Sequence, residues 1–324
     1  MKESGPAQRR AVYTMLWAIT SYFNPSRSKT RLINYRTFKE HLRAPLVTVE
    51  LSFDGRFDLH SDDANILMRI CCGEVLWQKE RLLNLALRAL PEECDAVAWL
   101  DCDVVFAKSE WAQNTQTALT QLPFVQLFSE RCNLTQGATR HGSDWAPVEV
   151  AAPGAAYAIA TGKPVALQVP GSYLVGGATT GLAWAARRSL LDRHGLYDAH
   201  ILGAGDRAMV CAAIGKFEDW VNATAANKVQ ERHYRTWGEP FFADVAAQIG
   251  FIEGRIFHLW HGDTKHRRKP HMEFSKFEFD PFNDLAVDAS GAWRWSSHKP
   301  EMHRFVSDYL MGRREDGQTE RHGQ

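Results

Sequence analysis

The feature that most constrains this chain is its opening alternation of apolar runs with one helical stretch. Val12 to Thr20 reads as a buried strand, Asn24-Pro25-Ser26 marks the loop after it, and a helix is expected from about Thr30 to Leu42. Pro45 separates that helix from Leu46 to Phe53, where Val47, Val49 and Leu51 alternate with Thr48, Glu50 and Ser52 in the period of a strand. A strand, helix, strand opening implies an α/β fold: a doubly wound, mostly parallel sheet with helices on both faces and ligands beyond the carboxyl ends of its strands. Asn65 to Ile70 reads as a further short strand. Trp77 to Leu90 reads as a helix, because Leu83, Ala86, Leu87 and Leu90 fall at i, i+3, i+4 and i+7 before Pro91 stops it.

Ala96 to Phe106 is an apolar run broken in the middle by Asp101 and Asp103. Read as one strand, it sends both carboxylates to one side and Cys102 to the other. A hard divalent cation takes one or two carboxylates and completes its shell with phosphate and water, so the pair suits such an ion. The plainer reading is that Asp101 ends the strand and Asp103 opens a turn.

The remaining bounds are broad. A length of 324 residues allows about two domains or one large α/β domain. Lys plus Arg and Asp plus Glu are 38 each, so no global field argues for nucleic acid or an acidic membrane. No apolar run approaches a membrane span and the first residues lack a signal peptide's apolar core, so the expected location is the cytoplasm. Cysteines at 71, 72, 94, 102, 132 and 211 form no C-x-x-C pair and are expected to be reduced.

Downstream, Cys132 to Ser172 is rich in Ala, Gly and Pro and is expected to surround a site without long elements. Gly176-Gly177 suggests either close approach of the backbone to a ligand or a tight turn. A helix is expected from Ala183 to His194, stopped by Gly195, and a loop then leads to Asp206, read plainly as the N-cap of the next helix. Gln230 to Ile249 is expected to be helical, with Tyr234, Trp237, Phe241 and Phe242 able to stack on sugars but more often core. Ile256 to His261 reads as a last strand. Within it His258 and His261 would face opposite ways, so joint ligation of a metal requires a turn after Leu259. Lys265 to Lys269, including Arg267 and Arg268, is a basic loop able to neutralise a diphosphate, or a solvated one. Glu301 to Met311 reads as a helix.

Four of these segments occur together in one order. Gln78-Lys79-Glu80-Arg81-Leu82-Leu83-Asn84, the Asp-x-Asp of 101 and 103, Gly176-Gly177 with Gly203-Ala204-Gly205-Asp206, and His258-Leu259-Trp260-His261-Gly262 resemble the GT-A family of nucleotide-sugar glycosyltransferases, in particular its inverting galactosyltransferase-like members. The resemblance spans roughly Gln78 to Arg268. It implies a GT-A-like fold, a UDP-sugar donor and Mn2+ or Mg2+ held by Asp103, His258 and His261 with Asp101. It also implies nucleotide contacts from Lys79 or Arg81, Asp101 toward the ribose or donor sugar, and Asp206 as catalytic base. The relatives usually show Glu-Asp where this chain has Gly205-Asp206, which leaves the acceptor class open: a glycan, another hydroxyl or a modified nucleic-acid base. A nucleotidyltransferase acting on a sugar phosphate and a non-catalytic carbohydrate-binding protein stay as alternatives. The expected organisation is a disordered start (1–10), one domain (11–311) with nucleotide-binding (11–131), acceptor (132–270) and C-terminal (271–311) parts, and a disordered tail (312–324).

Overall fold

A computed structural model describes residues 15–71, 74–167, 177–263 and 270–317. In chain order they form β1 (Leu16–Phe23), α1 (Lys29–His41), β2 (Leu46–Ser52), β3 (Ile66–Cys71), α2 (Lys79–Arg88), β4 (Ala96–Leu100), β5 (Val104–Phe106) and α3 (Trp111–Leu119). There follow β6 (Phe124–Gln126), β7 (Glu130–His141), β8 (Asp144–Pro153), α4 (Ala155–Ala160), β9 (Ala183–Arg187), α5 (Arg188–His194), α6 (Gly205–Ala213), α7 (Phe217–Thr224) and α8 (Lys228–Val245). The last are β10 (Ile249–Phe251), β11 (Arg255–His258), α9 (His271–Phe274), α10 (Pro281–Asp284), β12 (Leu285–Val287), β13 (Trp293–Trp295) and α11 (Pro300–Met311).

The main sheet has seven strands in the order β10-β6-β9-β4-β1-β2-β3. β4, β1, β2 and β3 run parallel, β9 runs antiparallel between β4 and β6, and β10 pairs parallel with β6. This is the doubly wound α/β arrangement implied by the opening. Alternate residues of each strand feed two cores. Val97 and Trp99 pack with Leu82, Leu83 and Ala86 of α2, whereas Ala96, Ala98 and Leu100 pack with Tyr35 and Phe38 of α1 and Trp111 of α3. Because both faces are covered, the polar positions of β2 are buried too: Tyr35 Oη lies 2.8 Å from Thr48 Oγ1, and Glu50 Oε1 accepts from Leu59 N at 3.1 Å. Tyr234 and Phe241 of α8 are fully buried core residues.

Three expectations are corrected. The apolar run from Ala96 does not continue as one strand: β4 ends at Leu100, and β5 belongs to a second sheet of order β5-β11-β7-β8. Ala183 to Arg187 is strand and not helix, because this run of small side chains fills a central lane with Trp184 opposite Trp99, where pairing overrides alanine's helical preference. The small-residue stretch after Cys132 is largely a β7–β8 hairpin. Its prolines Pro147 and Pro153 are tolerated because β8 is an edge strand.

Candidate active site and metal centre

The junction between the two sheets carries the acidic pair. Asp101, Cys102 and Asp103 form the turn from β4 to β5, with Asp101 N donating to Leu182 O at 2.7 Å. Pairing then decides what meets Asp103. β5 aligns Val104 with His258 of β11, β7 aligns Asn133 with the same histidine, and Leu259 N donates to Asp103 O at 2.9 Å. Since β11 stops at His258, the chain turns there and brings His261 back. This is the turn that joint ligation requires.

The result is a compact donor set. His258 Nε2 lies 3.7 Å from Asp103 Oδ1, His261 Nε2 lies 3.4 Å from Asp103 Oδ2, and the two Nε2 atoms are 3.1 Å apart. One ligand atom from each residue falls within 4.8 Å of the others. Asp103 Oδ1 is buried with no hydrogen-bond partner among the described residues. Burial would raise the Asp103 carboxyl, but the two imidazoles and Arg31 override it and hold the group far below the usual range. His258 Nδ1 is 3.1 Å from Asn133 Oδ1, an acceptor, so Nδ1 carries a proton and Nε2 is the nitrogen turned to Asp103. Carboxylate and imidazole lone pairs aimed at one another are the donor chemistry of a divalent-cation site, and imidazole suits manganese better than magnesium. The residues fit the ion.

Beside this set lies a second one. Lys79, first residue of α2, is buried, contacts the Asp101 carboxylate and donates to Asp206 Oδ2 at 2.7 Å. Burial alone would lower the ammonium, yet the two carboxylates hold it well above its usual range. Lys79 is therefore a clamp between two acids and not a solvated basic face. Asp206 is not an N-cap: Ala204 occupies that position with φ 80°, and Asp206 lies in the first turn of α6. Its Oδ1 makes no hydrogen bond among the described residues. Gly181 abuts it, since a Cβ there would lie 3.0 Å from Asp206 Oδ2. Leu182, with φ 81°, and Ala204 hold left-handed backbone on either side of the acids, a conformation that costs non-glycine residues about 1 kcal/mol each.

Arg81 goes elsewhere. Two residues along the helix from Lys79, it donates to Gly291 O at 2.6 Å, pairs with Asp198 and covers the Trp293 ring, tying α2 to the C-terminal part. Gly177 leads into a short parallel bridge in which Thr179 meets Gly154. Gly176, Arg267 and Arg268 lie outside the described residues.

Two acids escaped the sequence reading. A Cβ on Gly205 would collide with Glu80 Oε1, so the Glu80 carboxyl fills the space that a side chain at 205 would take. Glu80 Oε2 accepts from Trp77 Nε1 at 2.9 Å. Burial first, and Asp206 with it, push Glu80 up to about 7 against the pull of Lys79. The glycine before Asp206 signalled a missing acid, but nothing local identified the residue that fills its place. The second acid is Glu315, in the stretch expected to be disordered. It is buried against Arg31, with its Oε1 3.9 Å from His261 Nδ1.

No protein-family model matches the chain, and no curated protein matches it. Among solved structures the chain is similar to S. aureus TarS 1–349 in complex with UDP-GlcNAc, at 11% identity and a TM-score of 0.38 over 76% of this chain and 58% of that one. It is similar to a mutant of Drosophila β1,4-galactosyltransferase 7 in complex with manganese, UDP-Gal and xylobiose, at 8% identity and 0.38 over 89% and 98%. It is also similar to 4-diphosphocytidyl-2C-methyl-D-erythritol synthase from Anaerococcus prevotii, at 11% identity and 0.32 over 92% and 98%. The chain thus spans less than two thirds of that TarS fragment. With these TM-scores below 0.5, the functional reading rests on the residues of this chain. No helix among the described residues is long and apolar enough to cross a membrane.

Proposed function

We propose that this chain is a metal-dependent glycosyltransferase of the GT-A type. It moves a sugar from a nucleoside-diphosphate donor, a UDP-sugar by the resemblance, to a hydroxyl of a carbohydrate or other acceptor, with inversion. The observation that carries the reading is convergence: Asp103, His258 and His261 offer ligand atoms within 4.8 Å of one another, beside an Asp101–Lys79–Asp206 array. Asp103, His258 and His261 would hold Mn2+ or Mg2+, which when bound supplies Lewis-acid neutralisation of the charge on the departing diphosphate.

The chain's own groups do the rest. Lys79 fixes Asp206 Oδ2, which leaves Oδ1 to accept the acceptor hydroxyl's proton as that oxygen attacks the anomeric carbon. The same ammonium holds Asp101, so the donor-side acid and the base keep a fixed separation. Glu80, in the space beside Gly205, supplies the second carboxyl on the acceptor side.

Incubation with Mn2+ and a panel of nucleotide sugars should release nucleoside diphosphate. Asp103→Ala should abolish metal-dependent donor binding and turnover while the circular dichroism spectrum is kept; full turnover in that variant overturns the assignment. Asp206→Asn should lower turnover by roughly 10²–10⁴-fold with donor affinity unchanged. Equal losses of both would make Asp206 a structural residue of α6. Pyrophosphate release from a nucleoside triphosphate would point to nucleotidyl transfer, and glycan binding without any turnover to a binding protein.

A further inference from the structure

We propose that Arg313 to Gly317 is part of the metal centre, with Glu315 the positioning residue that orients His261 and offsets the charge of Arg31 beside the site. The inference rests on the metal-site reading above.

The segment is built in. Glu315 Oε2 and Oε1 accept from Arg31 Nε and Nη2 at 2.7 and 2.8 Å, a two-pronged pair bridging 284 positions of sequence. Arg313 Nε lies 3.2 Å from the same Oε1, and Arg313 rests on the Trp77 ring. Asp316 accepts from Ser28 Oγ at 2.7 Å and from Thr30 N at 2.8 Å, which pins the segment to the start of α1. The loop carrying His261 is gripped on both sides. At Gly262, with φ 91°, a Cβ would collide with Arg314 O, and at Gly317 a Cβ would fall 3.0 Å from the Trp260 ring. Backbone and loop touch there because neither glycine carries a side chain.

Two effects follow for the histidine and its ion. Glu315 Oε1, 3.9 Å from His261 Nδ1, is too far for a direct hydrogen bond, but with Asp103 Oδ2 3.4 Å from Nε2 it leaves the ring held between two carboxylates. Glu315 thus backs the ring on its Nδ1 side while Nε2 is turned to Asp103, a supporting position like that of Asn133 behind His258. Glu315 Oε1 is shared, 2.8 Å from Arg31 Nη2 and 3.9 Å from His261 Nδ1, so without that acid the guanidinium would oppose a cation beside it.

The test is manganese affinity of the full chain, read from the free-Mn2+ electron paramagnetic resonance signal with no sugar nucleotide present. Glu315→Gln should weaken binding by roughly tenfold or more. Asp316→Asn, which loosens the segment but keeps Glu315, should weaken it by a smaller factor with the fold intact. Long-range 1H–15N spectra of the metal-free chain should show the His261 ring-nitrogen shifts moved in Glu315→Gln and unmoved in Asp316→Asn, a change that mere docking of the segment would not produce. Manganese affinity within twofold of the parent in both variants, with unchanged His261 ring-nitrogen shifts, overturns the inference. If the parent itself binds no manganese, or Asp103→Ala binds it equally well, the metal-site reading fails instead.

Discussion

Around the Lys79 ammonium gather the carboxyl groups of Asp101, Asp206 and Glu80, and the competition sets the local chemistry. Glu80 has the weakest claim. It is buried against Gly205 and Trp77, and burial and Asp206 push it up to about 7 from a usual 4.5. An acid that holds its proton more tightly when folded stabilises the fold fully below the usual carboxylate range, and that stability is lost as pH rises toward 7. The stability of the parent relative to Glu80→Gln should therefore fall between pH 5 and 7, by at most about 1.4 kcal/mol per pH unit, and level off above. Urea unfolding of both proteins across that range checks it; parallel curves would show that Glu80 stays charged. Gly205 marks the missing acid in the sequence, but not its replacement, which comes from a helix well over a hundred residues earlier in the chain.

At the scale of elements, strand register aims the proposed metal ligands. β11 lies between β5 and β7, so His258 is flanked by Val104, one residue after Asp103, and by Asn133. Asn133→Ala removes the acceptor for His258 Nδ1 while leaving the β7–β11 ladder in place. Manganese affinity should drop about tenfold with little loss of stability, since the backbone pairing is untouched. A calorimetric titration showing no change would mean that register alone orients the ring. Much of this layer was legible. β1, α1, β2 and α2 follow from apolar periodicity and from Pro45 and Pro91, and a turn or helical twist after Leu259 is required on geometric grounds as soon as both histidines are assigned to one ion. What escaped depends on partners distant in sequence. Ala183–Ala186 is strand because a lane between β4 and β6 needs small side chains, and β8 tolerates its prolines because it is an edge strand among the described residues. The division of Ala96–Phe106 into β4 and β5 was hidden because both halves are equally apolar; only the second sheet distinguishes them.

On the scale of the whole molecule, the site lies where two sheets and the chain's late segments meet, so it is assembled only when all of them are in place. β13 is tied to the start of α2 by Gln78, which accepts from Trp293 N at 2.7 Å and donates to Trp293 O at 2.9 Å, and Asp316 caps the entry to α1. The proposed metal ligands come from the β4–β5 turn and from β11 with its following loop, so the unfolded chain would offer an ion no comparable set of donors. Binding is then linked to folding: a cation at 100 times its dissociation constant should stabilise the native state by about 2.7 kcal/mol. For a chain of this length that corresponds to a rise in Tm of roughly 5 °C. Scanning calorimetry with and without Mn2+ should show that rise in the parent and none in Asp103→Ala, whose missing carboxylate leaves two imidazoles too weak to hold the ion. A parent whose Tm ignores manganese would mean that the three side chains meet for packing alone, whereas an equal rise in both proteins would move the cation to another part of the surface.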